Sequence, residues 1–171
     1  MAIVKASYTR KRAVAKAAIR YIENRPGKDG SRIVRTLFKA DGKVERREVY
    51  TMIDEADKNS YFFRLVISPD PQREDKDKNL SLREITERTI QSLEVRFQKP
   101  LQWVAAVHAD HADHRHVHVI AIVPERLQVQ DFNRMRSAAT EGALEQLRHL
   151  DVIREARERS QEQGEGLGLA W

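Results

Sequence analysis

The sequence predicts an α+β protein, with a central antiparallel β-sheet of about five strands and helices packed on it. Short β-branched or alternating segments mark the strands, and segments with helical spacing of apolar residues lie between them. The last two strand segments, 101–107 and 116–123, follow each other without a helix, which favours antiparallel neighbours over a parallel sheet. The 171 residues are enough for one domain with a single core.

Turn and capping signals divide the first third of the chain. Thr9 can cap a helix whose apolar face carries Val14, Ala17, Ala18, Tyr21 and Ile22. Pro26 and two glycines end this helix, and Asp41-Gly42 is a tight-turn signal. We predict a strand at 3–8, a helix at 10–24, a loop at 25–31, a strand at 33–39, a short return strand at 43–46 and a helix at 48–58.

The remaining elements have clearer boundaries. Pro69 and Pro71 end the most apolar strand, and Ser81 with Glu84 is a capping-box signature. We predict strands at 61–68, 101–107 and 116–123 and helices at 82–98 and 132–161. The expected organisation is a single domain at 1–162, followed by a flexible glycine-rich tail at 163–171.

Composition excludes several classes of protein. The chain has no cysteine, so it has neither disulfides nor thiolate metal ligands. No apolar run reaches the roughly 18 residues of a membrane helix, and the N-terminus lacks the apolar segment of a signal peptide. Phosphate-binding glycine loops and dinucleotide fingerprints are also missing. We therefore expect a cytoplasmic protein with no membrane partner.

Positive charge is concentrated in the first 50 residues, which contain 14 Lys and Arg against 5 Asp and Glu. The remaining residues contain 17 against 21. A basic region of this kind is typical of a protein that binds a polyanion such as nucleic acid. A solvated basic helix is the alternative interpretation.

Five of the six histidines lie between His108 and His118. In a strand, side chains two residues apart point to the same face, so His116 and His118 can bind one metal ion together. His108, at the end of the preceding strand, can supply a third ligand, with His111 and His114 as competitors. Asp110 or Asp113 can accept a proton from the second nitrogen of a ligand. A histidine-rich surface loop without a metal is the alternative.

This histidine pattern resembles the third motif of relaxases, the plasmid mobilisation nucleases of the HUH endonuclease superfamily. The similarity lies in His108, Asp110, His116 and His118, followed by an apolar strand. Arg115 stands where many members of the family have proline, and His111 and His114 are additional.

A second motif agrees with this resemblance. Residues 18–27, with Tyr21 followed by Arg25 and Gly27, are similar to the N-terminal tyrosine motif of the mobilisation branch. Residues 61–70 look like the strand between the two motifs, so the resemblance covers residues 1 to about 125. Replication initiators and transposases of the superfamily usually carry their tyrosine after the histidines, and no tyrosine follows His118 here.

The resemblance implies a mechanism and its residues. His108, His116 and His118 would hold one divalent metal ion, Mn or Mg, with Zn or Ni as alternatives. Tyr21 would attack a phosphate of single-stranded DNA at a transfer origin and leave a 5′-phosphotyrosine. Accessory mobilisation proteins are possible partners. Expected nucleic-acid contacts are Arg25, Lys28, Arg32 and Arg64.

Several interpretations remain open. Tyr21 can instead be a core residue, with Tyr8 or Tyr50 as the nucleophile. Arg64 can be a surface residue if its strand lies at an edge of the sheet. The whole chain can be a non-catalytic module that binds single-stranded nucleic acid and keeps the fold, or a replication initiator or transposase.

Overall fold

A computed structural model describes residues 1–110 and 114–168 of the chain, the side chains of 165–168 excepted. Within these ranges the chain forms a single sheet with four helices, which confirms the predicted α+β class. The elements are β1 (Ile3–Thr9), α1 (Arg12–Asn24), β2 (Phe38–Lys39), β3 (Gly42–Lys43), α2 (Arg46–Asp54), β4 (Tyr61–Ser68), α3 (Leu82–Phe97), β5 (Gln102–His108), β6 (His116–Val123) and α4 (Val129–Gly168).

The sheet has the strand order β1-β4-β6-β5-β2-β3, and every pairing is antiparallel. The most apolar strands, β4 and β6, lie in the middle, where both faces of a strand are covered. β5 and β6 pair directly, as predicted from their adjacency in the sequence. β1, with its exposed Lys5 and Ser7, forms one edge.

Each face of the sheet packs against two helices. Alternate residues of β4 divide between the faces, because successive side chains of a strand point in opposite directions. Phe63, Leu65 and Ile67 join a core formed with α3 and α4. Phe62 joins a second core formed with α1 and α2, and the histidines of β6 project from this same face.

The prediction for the buried face of α1 is wrong, because the helix is rotated about its axis relative to the predicted orientation. Its buried residues are Ala15, Ile19 and Ile22, whereas Val14 and Tyr21 are 49% and 44% exposed. Arg12 donates one hydrogen bond to the carbonyl of Ile53, in the last turn of α2, and another to the carbonyl of Ala56, just after this helix. This docks the basic flank of α1 on α2 and turns the flank with Tyr21 towards solvent.

The strand predicted at 33–39 is also wrong in length, since only Phe38 and Lys39 pair in the sheet. The backbone N–H of Arg35 donates to the carbonyl of Glu23, so this segment crosses the end of α1 instead. The return strand lies at 42–43. α2 begins at Arg46 because Glu45 and Glu48 form a reciprocal capping box.

The later helices differ from the prediction mainly at their ends. The side chain of Ser81 accepts a hydrogen bond from the backbone N–H of Glu84, as an N-cap does, but the predicted capping box is not completed, because the backbone N–H of Ser81 donates to Gln146. α4 begins at Val129 and continues to Gly168, beyond the predicted end at 161. Of the predicted tail, residues 169–171 lie outside the described residues. Among the described helices, none combines the length and the apolar character needed to cross a membrane.

Candidate metal centre

The pairing of β5 with β6 brings the three predicted ligands together. His108 lies directly opposite His116, and the two-residue period of β6 places His118 on the same face. Ring centroids are 4.4 Å apart for His108 and His118 and 5.0 Å apart for His116 and His118. One nitrogen from each of the three rings lies within 4.8 Å of the others, a spacing at which one metal ion can be bound.

Of the two competing histidines the structure describes only His114, and it does not join this group. β6 begins at His116, so His114 precedes the strand; its side chain is exposed, and its ring centroid is 6.2 Å from that of His116. Arg115, next to it, forms a bidentate ion pair with the buried Asp75. His111 and Asp113 lie outside the described residues.

A hydrogen bond to α1 determines the proton position on His108. Its Nε2 lies 2.9 Å from the carbonyl oxygen of Ile22. Because a carbonyl only accepts, Nε2 carries the proton and Nδ1 keeps its lone pair. Nδ1 is buried and has no hydrogen-bond partner in the described part of the chain. His108 is thus held by α1 in the tautomer that a metal ligand requires.

The environment favours the neutral form of all three histidines. Burial lowers the pKa of His118 to about 3 and that of His108 to about 4, and the positive charges of neighbouring arginines add to the lowering. Burial likewise lowers the pKa of His116. A metal ion binds the neutral imidazole, so this environment keeps the ligands ready for binding at pH values where exposed histidines are protonated.

The donor set fits a divalent metal ion. Both ring nitrogens of His118 and Nδ1 of His108 are buried without a partner among the described residues, and each such atom costs about 1–3 kcal/mol if it stays unsatisfied. A bound metal ion would satisfy the lone pairs. Three imidazole ligands would leave further coordination positions for water or a substrate oxygen, as in catalytic sites.

Tyr21 lies in the same neighbourhood and is not a core residue. It directly precedes Ile22, the residue whose carbonyl is bonded to His108. Tyr21 is 44% exposed, and its ring lies against two guanidinium groups, with the Cζ of Arg64 at 4.8 Å and that of Arg25 at 5.7 Å from the ring centroid. The hydroxyl is therefore carried by an accessible ring beside two positive charges.

Arg64 and Arg25 contact the ring of Tyr21 and also act on His118 through their charges. β4 is an interior strand, so the predicted alternative that Arg64 lies at an edge is wrong. Arg64 pairs with Ile120, two residues from His118 on the same face, which makes it a diagonal neighbour of His118. Burial and the neighbouring histidines are the larger causes of the low pKa of His118, and the charges of Arg64 and Arg25 lower it further.

Asp110 is bound by an arginine that the sequence did not indicate. Nη2 of the buried Arg35 donates to both oxygens of Asp110 at 2.8 and 2.9 Å, and its Nη1 donates to the carbonyl of Arg25 at 2.7 Å. The second nitrogen of His108 is bonded to Ile22 rather than to Asp110. Asp110 acts on His108 through its charge, which raises the pKa against the larger lowering effect of burial.

The last two predicted nucleic-acid contacts are Lys28 and Arg32. Lys28 is exposed and lines an open depression together with Asp110. Arg32 is exposed. No pattern in the sequence distinguishes Arg35 from its neighbours, because its role depends on a contact 75 residues away.

Comparisons with models of protein families, with curated protein sequences and with solved structures gave no match. The histidine centre, the exposed tyrosine and the surrounding arginines are therefore interpreted from their own chemistry.

Proposed function

We propose that this protein nicks and rejoins single-stranded DNA at the transfer origin of a plasmid or mobile element. The reaction is metal-dependent and passes through a 5′-phosphotyrosine at Tyr21. One observation carries the proposal: an exposed tyrosine that contacts two arginines directly precedes the residue that orients a candidate metal-ligand histidine. Such a relaxase would act in the cytoplasm, with accessory mobilisation proteins as partners.

The centre is suited to a phosphate ligand. A divalent ion held by His108, His116 and His118 would polarise an oxygen of the scissile phosphate as a Lewis acid. Mn or Mg is proposed as the ion, with Zn and Ni as alternatives that imidazole ligands also suit. Arg25 and Arg64 add positive charge on the side of Tyr21, where they can contact a phosphate that is bound at the metal centre.

Tyr21 would supply the nucleophile. Its oxygen forms a bond to phosphorus while the bond from phosphorus to the 3′ oxygen breaks; the phenol proton is lost, and the departing oxygen gains a proton. A free phenol, with a pKa of about 10, is a weak nucleophile near neutral pH. The guanidinium groups of Arg64 and Arg25 lie against the same ring, where they can contact the phosphate that the hydroxyl attacks.

The adduct retains the energy of the phosphodiester. The free 3′ hydroxyl can therefore attack the phosphotyrosine and restore the strand. An enzyme that transfers a strand between molecules needs such a reversible step, and hydrolysis by an activated water would not provide it.

The test is to mix the protein with single-stranded oligonucleotides from candidate transfer origins and Mn or Mg, and to look for a covalent protein–DNA band. We expect an adduct with the wild type and a loss of at least about 100-fold with Tyr21→Phe, because the attacking oxygen is removed. Tyr50→Phe is the matched control, since the Tyr50 ring is half-buried against Lys16 away from the histidines.

Three outcomes would contradict the proposal in different ways. An undiminished adduct with Tyr21→Phe would move the nucleophile to another residue. An adduct that forms equally well in EDTA would exclude the metal centre from the reaction. Metal-dependent binding without an adduct on any origin strand would favour the non-catalytic nucleic-acid-binding module.

A further inference from the structure

A second cluster of aromatic and basic side chains lies at the other end of β4 from the histidines. It consists of Tyr8 and Arg10 from the end of β1, Tyr61 from the start of β4, and Arg126 after β6, and we call it the aromatic–arginine patch. Val66, the β4 residue that pairs with His118, is five residues from Tyr61, which corresponds to about 17 Å along the strand. The patch is therefore separate from the metal centre.

The rings of the patch form an accessible platform. Tyr8 and Tyr61 contact each other edge to face with centroids 5.5 Å apart, and Phe63, the cross-strand partner of Tyr8, lies beside it with centroids 5.2 Å apart. β1 is the edge strand of the sheet, and Tyr8 is 43% exposed there. A planar ligand can reach this platform from the open edge.

Two guanidinium groups lie on the rings of this platform. The Cζ of Arg10 is 4.8 Å from the centroid of Tyr61, and that of Arg126 is 5.2 Å from the centroid of Tyr8. Both arginines are exposed. An exposed cation–π contact of this kind stabilises a fold by only about 0.5–1 kcal/mol. Stability is therefore a weak explanation for the presence of two such contacts side by side.

The charges of these two arginines are not compensated. In the described part of the chain neither Arg10 nor Arg126 forms an ion pair with a carboxylate, whereas Arg35, Arg96 and Arg115 all do. The patch thus combines aromatic faces with unpaired positive charge. This is the combination that binds single strands without sequence preference, because bases stack on the rings while cations contact the phosphates.

We propose that the aromatic–arginine patch is a second binding site for single-stranded nucleic acid, which holds the strand away from the metal centre. Bases stack on Tyr8, Tyr61 and the guanidinium planes, and the guanidinium N–H groups bind the phosphates. The identity of the ligand rests on the proposed function, whereas the existence of the site rests on the patch itself. A strand that reaches both sites would be held at two points.

The experiment measures binding of fluorescent oligothymidine of 16 nucleotides by anisotropy, which requires no cleavage. We expect about tenfold weaker binding for Tyr8→Ala and for Arg126→Gln, in line with the loss of one stacked base or its cation. Tyr8→Phe keeps the ring and should bind like the wild type. Arg157→Gln, which removes an exposed arginine of α4 without an aromatic partner, is the charge-matched control.

The design separates this proposal from the proposed function. Binding that depends on Tyr8 and Arg126 in a protein that forms no adduct would support the patch and sink the nicking reaction. The patch itself is overturned if Arg126→Gln binds no more weakly than Arg157→Gln, or if Tyr8→Phe loses as much affinity as Tyr8→Ala. It is also overturned if polyglutamate displaces the oligonucleotide at equal charge concentration, because any polyanion would then suffice. Since Arg10 and Arg126 are exposed, the variant Arg10→Gln/Arg126→Gln provides the same test if Tyr8→Ala fails to fold.

Discussion

Among the three candidate ligands, His118 is the one whose surroundings point most directly to a bound ligand. It is only 5% exposed, and neither of its ring nitrogens has a hydrogen-bond partner among the described residues. A buried polar group in this state destabilises a fold unless a ligand compensates it. His108, by contrast, has one nitrogen fixed by Ile22, so only its second nitrogen needs a ligand.

The pH dependence of stability follows from the pKa of His118, which burial lowers to about 3 from its ordinary value of 6.5. Between these two values the unfolded chain binds a proton that the folded chain does not. The free energy of unfolding therefore rises with pH up to about 6.5, at up to about 1.4 kcal/mol per unit for this group, and is then constant. His108 acts in the same direction from about pH 4.

Urea unfolding in EDTA at several values between pH 5 and 7.5 measures this effect. His118→Gln should reduce the slope without abolishing it, because the substituted side chain does not titrate, whereas His108 and His116, whose pKa values burial also lowers, still contribute. His149→Gln, which changes an exposed histidine of α4, should leave the slope as in the wild type. A slope that His118→Gln leaves unchanged would show that another group is responsible.

At the level of elements, the segment between α1 and β2 organises the site without belonging to the sheet. Arg35 joins three parts of the chain, because it bonds the carbonyl of Arg25, the carboxylate of Asp110 and, through its backbone, Glu23. It thereby fixes the end of α1, which carries Tyr21, to the end of β5, which carries His108.

Arg35→Ala should destabilise the protein by about 3 kcal/mol, since it breaks a largely buried ion pair and removes the guanidinium group that neutralises Asp110. Arg32→Ala, three residues earlier and exposed, should change stability by less than about 0.5 kcal/mol. Urea unfolding at pH 7.5 compares the two variants. Equal stabilities would mean that the ion pair contributes nothing to the connection.

The elements best predicted from the sequence are those whose local pattern agrees with their packing. β4 has the predicted bounds at both ends, because its apolar run is covered on both faces and prolines follow it. The segment 33–39 has the composition of a strand, but a distant ion pair and a bond to α1 draw it away from the sheet. Local patterns carry no information about such contacts.

The same distinction applies to the site. The spacing of His116 and His118 predicted the pair on β6, whereas His108 was one of three candidates for the third position and was favoured by the resemblance; the structure brings it to the pair. The exposure of Tyr21 was not predictable. Helical spacing alone placed Tyr21 on the buried face of α1, but the face that is buried lies about a third of a turn away from the predicted one. Contacts of Arg12 and Lys16 with the region of α2 determine the actual rotation.

For the whole molecule, binding of a metal ion should be coupled to folding. The triad joins β5 and β6, which lie in the middle of the sheet, so an ion that binds only the folded chain stabilises all of it. At a free concentration 100 times the Kd the gain is about 2.7 kcal/mol. For a chain of this size, this corresponds to an increase in Tm of about 5–10 °C.

Thermal unfolding with and without Mn, Zn or Ni tests this coupling. His116→Ala removes the half-buried ligand and should abolish most of the increase in Tm. His114→Ala, which removes an exposed histidine two residues earlier, should retain it. A larger loss with His114→Ala than with His116→Ala would assign the ion to a different set of ligands.

Two arginine–carboxylate pairs flank the connection between β5 and β6. Arg35 holds Asp110 on one side, and Asp75 holds Arg115 on the other. Each pair attaches its end of the connection to a different part of the molecule. Each ion pair therefore holds one flank of the histidine triad, so loss of either pair is expected to loosen the strand end that carries His108 or His116.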